Sequence, residues 1–118
     1  MATVKLTTNN FDEFVKSNDM LLVDFWAQWC GPCRSFAPTF EKVSENYPTI
    51  VFGKVNTEEE RELAEQYQIR SIPTLMILRE QIIIFRQAGA LPEKALIEII
   101  QKAQSLDMNM VREEIAKQ

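Results

Sequence analysis

Met20-Leu21-Leu22-Val23-Asp24-Phe25-Trp26-Ala27-Gln28-Trp29-Cys30-Gly31-Pro32-Cys33 is the stretch on which the reading of this chain turns. Residues 20–27 are apolar on both faces of an extended backbone, with one carboxylate in the middle. A half-exposed strand would alternate, so this run reads as a central strand covered on both sides. Cys30 and Cys33 are the only two cysteines among 118 residues. They stand where that strand ends and a helix begins. Beyond them Phe36, Phe40, Val43 and Tyr47 recur with helical spacing, which predicts a helix from about Cys33 to Tyr47. Pro38 falls inside it and should kink it.

Working outward, Val4-Lys5-Leu6 alternates like a short strand. Asn9 or Asn10 can cap a helix that turns Phe11, Phe14 and Val15 inward. Ile50–Val55 is the next strand, and Thr57-Glu58-Glu59-Glu60 has the spacing of a capping box opening a helix with Leu63, Ala64 and Tyr67 on one face. Thr74–Leu78 and Ile82–Arg86 read as two strands joined by a tight turn around Arg79-Glu80-Gln81. Pro92 suits the first turn of a further helix carrying Leu96, Ile99, Ile100 and Ala103. The order β-α-β-α-β-α-β-β-α predicts an α/β fold, a mixed five-stranded sheet flanked by four helices. Its early βα units are expected to be parallel, and its last two strands antiparallel.

The chain is long enough for one domain with one core. Lys and Arg number 13 against 17 Asp and Glu, a formal charge of −4. That balance argues against nucleic-acid binding, which needs a basic face. No stretch has the length of a membrane span, and Met1-Ala2-Thr3-Val4-Lys5 lacks the apolar core of a signal peptide, so a cytoplasmic location is expected.

Histidine is absent and no glycine-rich phosphate loop occurs, which leaves the cysteine pair as the centre for covalent chemistry. At a helix start, free N–H groups and the helix dipole favour a Cys30 thiolate, the nucleophile of disulfide exchange. Cys33, one turn on and less exposed, is placed to attack the mixed disulfide so formed. Two other readings compete. A disulfide across two intervening residues is a poor stabilising staple, and a zinc site would need ligands from a second chain. Asp24 shares a strand face with Leu22 and Trp26 and should be buried. Its carboxyl is expected to have a raised pKa suited to proton transfer, unless backbone groups or a lysine such as Lys54 satisfy it. The Ile72–Pro73 bond is open between cis and trans, with a proline at a strand entry as the plain reading.

Taken together, Trp29-Cys30-Gly31-Pro32-Cys33, Val23–Ala27, Pro38 and Ile72-Pro73-Thr74 at their separations resemble the thioredoxin family over about residues 3–105. The resemblance implies a thioredoxin fold in a domain of residues 1–105, followed by an extension of residues 106–118. It implies a protein-disulfide reductase in which Cys30 attacks, Cys33 resolves and Asp24 moves the proton through water, tuned by Lys54. It implies a cis Pro73 beside the cysteines, leaving the Ile72 backbone free to pair with an extended substrate. Trp29, Gly31, Pro32, Ile72, Pro73, Gly89 and Ala90 would form the apolar docking face. No cofactor would be bound, and electrons would come from NADPH through thioredoxin reductase. The partners would be that reductase and many disulfide-containing proteins, with no nucleic acid or membrane. A monomer is expected, with a dimer through the edge strand or the extension as the alternative.

Several residues depart from the family pattern. Glu80-Gln81 stands where a turn usually carries Asn-Gly, so a longer or different turn is expected. Gln68 and Ser71 stand where glycine is frequent. Ile82–Phe85 is apolar on both faces of an edge strand, which invites self-association. Asp107 can cap a short helix with Met108, Val111 and Ile115 on one face, against a frayed tail as the alternative. A non-catalytic adaptor competes with the enzyme as the function, although an adaptor needs neither both cysteines nor Asp24. An oxidase or isomerase is disfavoured by Gly31-Pro32.

Overall fold

The computed structural model describes residues 2–118; Met1, with which the expected domain begins, lies outside them. The elements are β1 (Thr3–Lys5), α1 (Phe11–Ser17), β2 (Met20–Trp26), α2 (Gly31–Ser44), β3 (Val51–Asn56), α3 (Arg61–Gln66), β4 (Thr74–Arg79), β5 (Ile82–Ala88), α4 (Glu93–Ser105) and α5 (Met108–Ala116). The sheet order is β1-β3-β2-β4-β5. Strand β3 runs parallel to β1 and β2, whereas β4 is antiparallel to β2 and β5. This is the predicted mixed sheet, with β2 in its middle.

The period of two along β2 divides the interior into two layers. Met20 and Leu22 point toward α2 and α4, into a cluster with Phe36, Phe40, Phe52, Leu75, Ile77, Leu96 and Ile100. Leu21, Val23 and Phe25 point the other way, joining Leu6, Phe11, Val55, Leu63, Met76 and Leu78 under α1 and α3. Both faces of β2 are therefore covered, which accounts for a run that is apolar on both faces apart from Asp24.

Several boundaries differ from the sequence expectation. Helix α2 starts at Gly31, two positions before the expected start at Cys33, because Cys30 itself caps it, and it ends at Ser44. Tyr47 packs against the core from beyond the helix. The capping box at Thr57 does not form. Thr57 instead donates its N–H and its hydroxyl to the Trp26 carbonyl, at 2.8 and 3.1 Å. Asn56 Oδ1 turns the chain by accepting from Glu58 N–H at 2.9 Å, so α3 begins only at Arg61. Pro92 is the residue before α4 rather than part of its first turn.

The expectation of a longer turn between β4 and β5 is overturned. The hairpin has a two-residue turn in which Glu80 and Gln81 both take positive φ, 52° and 70°. Two outside contacts hold it: Glu80 N–H donates to the Asp19 carbonyl at 2.7 Å, and the Glu80 carboxylate pairs with Arg112 of α5. A bulge follows, since Ile77 pairs with Phe85 but Leu78 with Ile83.

Residues 108–116 form a helix, not a frayed tail. Asp107 caps it by accepting from Asn109 N–H at 3.0 Å. Arg79 directs the chain into it by donating to the carbonyls of Ala103 and Leu106, at 2.9 and 2.8 Å. Met108 is buried, while Ile115 stays 46% exposed, so the apolar stripe of α5 is only partly covered. It borders an open groove against Ile82, Ile83 and Ile84 of β5.

Gln81→Gly is expected to stabilise the protein by about 0.5–1 kcal/mol in denaturant titration, since glycine takes positive φ without the penalty of a Cβ. Removing residues 106–118 is expected to lower stability by about 1.5–3 kcal/mol, the burial of one large apolar side chain. Sedimentation should then detect association through the uncovered β5 edge.

Candidate functional site

Strand β2 ends at Trp26, and the chain turns so that Cys30 N–H donates to the Ala27 carbonyl at 3.2 Å. Cys30 then sits at the N-cap of α2 with extended backbone, φ −85° and ψ 114°. Gly31 and Pro32 fill the first turn, where the fixed φ of proline and its missing N–H cost the helix nothing. The Cys33 N–H donates to Cys30 Sγ at 3.2 Å. The sulfur thus occupies the place of a capping oxygen. Cys30 and Cys33 are joined as a disulfide with Cα atoms 5.2 Å apart. Both are nearly buried, Cys30 at 4% and Cys33 at 2% exposure, so the expected difference in exposure is slight. What separates the two sulfurs is the helix end: Cys30 Sγ receives an N–H of the first turn.

Asp24 lies on the same face of β2 as Leu22, under α2 and α4, and its side chain has no exposure. Neither carboxylate oxygen has a hydrogen-bond partner among the described residues. Backbone satisfaction, the plain reading of this residue, is therefore not what the structure shows. Burial pushes its pKa up from 3.8 to about 7, and the Lys54 charge partly opposes the rise. Lys54 pairs with Asp24 in the β2–β3 register, but its ammonium rests over the Trp26 ring, 4.9 Å from the centroid.

The loop before β4 closes the site from the other side. The Ile72–Pro73 bond is cis, and the Ile72 carbonyl oxygen lies 3.6 Å from Cys30 Sγ. Pro73 is buried, and its carbonyl accepts from Gly89 N–H at 2.8 Å. That bond ties the Gly89–Ala90 segment to the loop. Gly89 has φ +104°, which a side chain would strain. The Ile72 N–H has no hydrogen bond among the described residues. Trp29, 66% exposed, and exposed Gly31, Pro32, Gly89 and Ala90 surround the disulfide. Among the described residues no three metal-ligating side chains come together.

One contributor was not anticipated. Gln68, the residue after the C-cap of α3, has φ 54°, a conformation that favours glycine. Arg86 of β5 holds this turn by donating to the carbonyls of Tyr67 and Gln68. Its only trace in the sequence is a charge closing the apolar run Ile82–Phe85.

The thioredoxin family model matches residues 2–102. The chain is 55% identical to Putative thioredoxin 2 of Streptomyces coelicolor over 117 residues, 99% of this chain and 87% of that one. It is 42% identical to Thioredoxin 1 of Nostoc, covering 86% of this chain and 96% of the relative. The structure of thioredoxin F from spinach chloroplast superposes with a TM-score of 0.80 at 34% identity, covering 88% of this chain and 96% of that one. Plasmodium falciparum thioredoxin gives 0.78 at 34% identity, with 85% and 97% covered. The capped cysteine pair, the strand before it and these likenesses agree: the chain belongs to the thioredoxin family and is a protein dithiol–disulfide oxidoreductase whose redox pair is Cys30 and Cys33.

Proposed function

We propose that this chain is a general reductant of protein disulfides in the cytoplasm, recharged with electrons from NADPH by thioredoxin reductase. The observation that carries the reading is the hydrogen bond from Cys33 N–H to Cys30 Sγ at the start of α2. In the reduced protein the same N–H, with the helix dipole, stabilises negative charge on Cys30. The Cys30 thiolate attacks one sulfur of a substrate disulfide, forms a mixed disulfide and releases the other sulfur as a thiolate. Cys33 then loses its proton and attacks Cys30 Sγ, which expels the second substrate thiolate and closes the Cys30–Cys33 bond. Two electrons pass from the dithiol to the substrate.

The Cys33 proton needs an acceptor, and Asp24 is a buried carboxylate poised near neutrality. Lys54 sets how readily Asp24 ionises. The free Ile72 N–H offers an extended substrate a backbone bond beside cis Pro73. Trp29, Gly31, Pro32, Gly89 and Ala90 supply an exposed docking face, which suits weak binding of many partners. An adaptor role would leave the unpartnered burial of Asp24 without a purpose. Residues 1–105 carry all of these groups, and residues 106–118 serve as an appended brace on the β4–β5 hairpin.

Coupled to NADPH and thioredoxin reductase, the protein is expected to reduce insulin disulfides, and Cys30→Ser to abolish turnover. Cys33→Ser should instead accumulate substrates bound to Cys30, seen as reductant-sensitive adducts in mass spectrometry. Lack of turnover by the unaltered protein would refute the reading.

Asp24 also sets a pH dependence of stability. The folded protein keeps the Asp24 proton to about pH 7, whereas the unfolded chain releases it near 3.8. Between those values the folded state binds more protons, so stability falls as pH rises and then levels off. The shift of about three units corresponds to something on the order of 4 kcal/mol. Asp24→Asn should match the parent near pH 4 and exceed it in stability at pH 8, while slowing disulfide reduction at least about tenfold.

A further inference from the structure

A groove of about 410 Å³ opens against the Ile72–Pro73 loop, with Gln68, Arg70, Ser71, Thr74, Arg86 and Gln87 in its wall. Ser71 and Thr74 flank Ile72 and Pro73 in the chain, so the groove begins where a substrate strand would leave the docking face. Both charges in its wall are positive, and no carboxylate lines it. Among the described residues neither arginine takes part in an ion pair. Arg86 spends two N–H groups on the carbonyls of Tyr67 and Gln68. That fixes its guanidinium while leaving its other donors free. Arg70 is exposed and has no hydrogen bond among the described residues. Ser71 is exposed, and its hydroxyl is likewise unengaged. A chain of net charge −4 thus carries two uncompensated cations beside its docking loop, opposite in sign to the molecule as a whole.

Guanidinium groups recognise carboxylates through paired N–H donors, and a free hydroxyl adds a further one. We propose that the Arg70–Arg86 groove is a specificity subsite that takes an acidic side chain of the substrate protein, close in sequence to the cysteine under attack. The inference rests on the reductase reading and names a feature of the preferred substrates. Arg70 and Ser71 donate to the incoming carboxylate, while Arg86, anchored on the end of α3, adds its charge from a fixed position. The groove is open to solvent, so its selectivity is a matter of several-fold and weakens with salt.

The test uses disulfide-linked peptides that differ only in carrying Glu, Gln or Lys at successive positions on either side of the reactive cysteine. Their kcat/KM for reduction by the pre-reduced protein is measured at low and high salt. The Glu peptide is expected to be favoured over its Gln counterpart by about three- to tenfold at one or two positions, and the Lys peptide disfavoured. High salt and Arg70→Gln should each bring the Glu-to-Gln ratio toward one, and Arg70→Glu should favour Lys over Glu. Reduction of all peptides at equal rates would overturn the subsite and leave the reductase reading standing. Reduction of none would overturn both. A Glu preference that persists in the Arg70→Gln, Arg86→Gln double variant would place recognition elsewhere and overturn the subsite.

Discussion

The covering of β2 on both faces is the constraint from which the rest of the molecule follows. A strand in the middle of a mixed sheet must present apolar groups to two helical layers at once, and residues 20–27 do so everywhere except Asp24. That exception is expensive: a carboxylate with no exposure and no hydrogen bond among the described residues keeps its proton up to about pH 7 instead of losing it near 3.8. The same strand delivers Cys30 to the first turn of α2. The burial that unsettles Asp24 and the first-turn N–H given to Cys30 Sγ are two consequences of one placement.

Around this centre, the residues that surround the disulfide come from loops and are held by the sheet edge. The Ile72–Pro73 loop is fixed at one end by the Gly89 bond to the Pro73 carbonyl and at the other by Arg86 on the carbonyls of Tyr67 and Gln68, just past α3. Strand β5 therefore does more than close the sheet, since its residue Arg86 and the Gly89 that follows it position the loop beside the disulfide. The far end of the same strand is held differently. There Asp19, Glu80 and Arg112 maintain a turn that the intrinsic preferences of Glu80 and Gln81 oppose.

The sequence was most informative where a periodic pattern ran long. Strand β2, the α2 stripe of Phe36, Phe40 and Val43, and the Cys30–Cys33 pair were legible because burial on a regular element leaves a repeating signature. The burial of Asp24 followed from its place in that strand. Local turn chemistry was less legible. Thr57 has the spacing of a cap, yet its bonds to the Trp26 carbonyl served the strand pairing instead. The Glu80-Gln81 turn could not be read because the groups that hold it, the Asp19 carbonyl and Arg112, are distant in the chain. Arg86 escaped notice for the same reason: its carbonyl partners become neighbours only once β5 packs beside the end of α3.

The central claim is that the helix start divides the labour between two nearly equally buried thiols. Following the Cβ chemical shifts of both cysteines in the reduced protein against pH tests it most directly, read together with the Asp24 carboxyl resonance because these groups titrate as a coupled set. The account predicts that Cys30 ionises first, below the ordinary thiol value of about 8.5, and that Cys33 ionises above it. Ionisation of Cys33 before Cys30, or of Cys30 at or above the ordinary value, would contradict it.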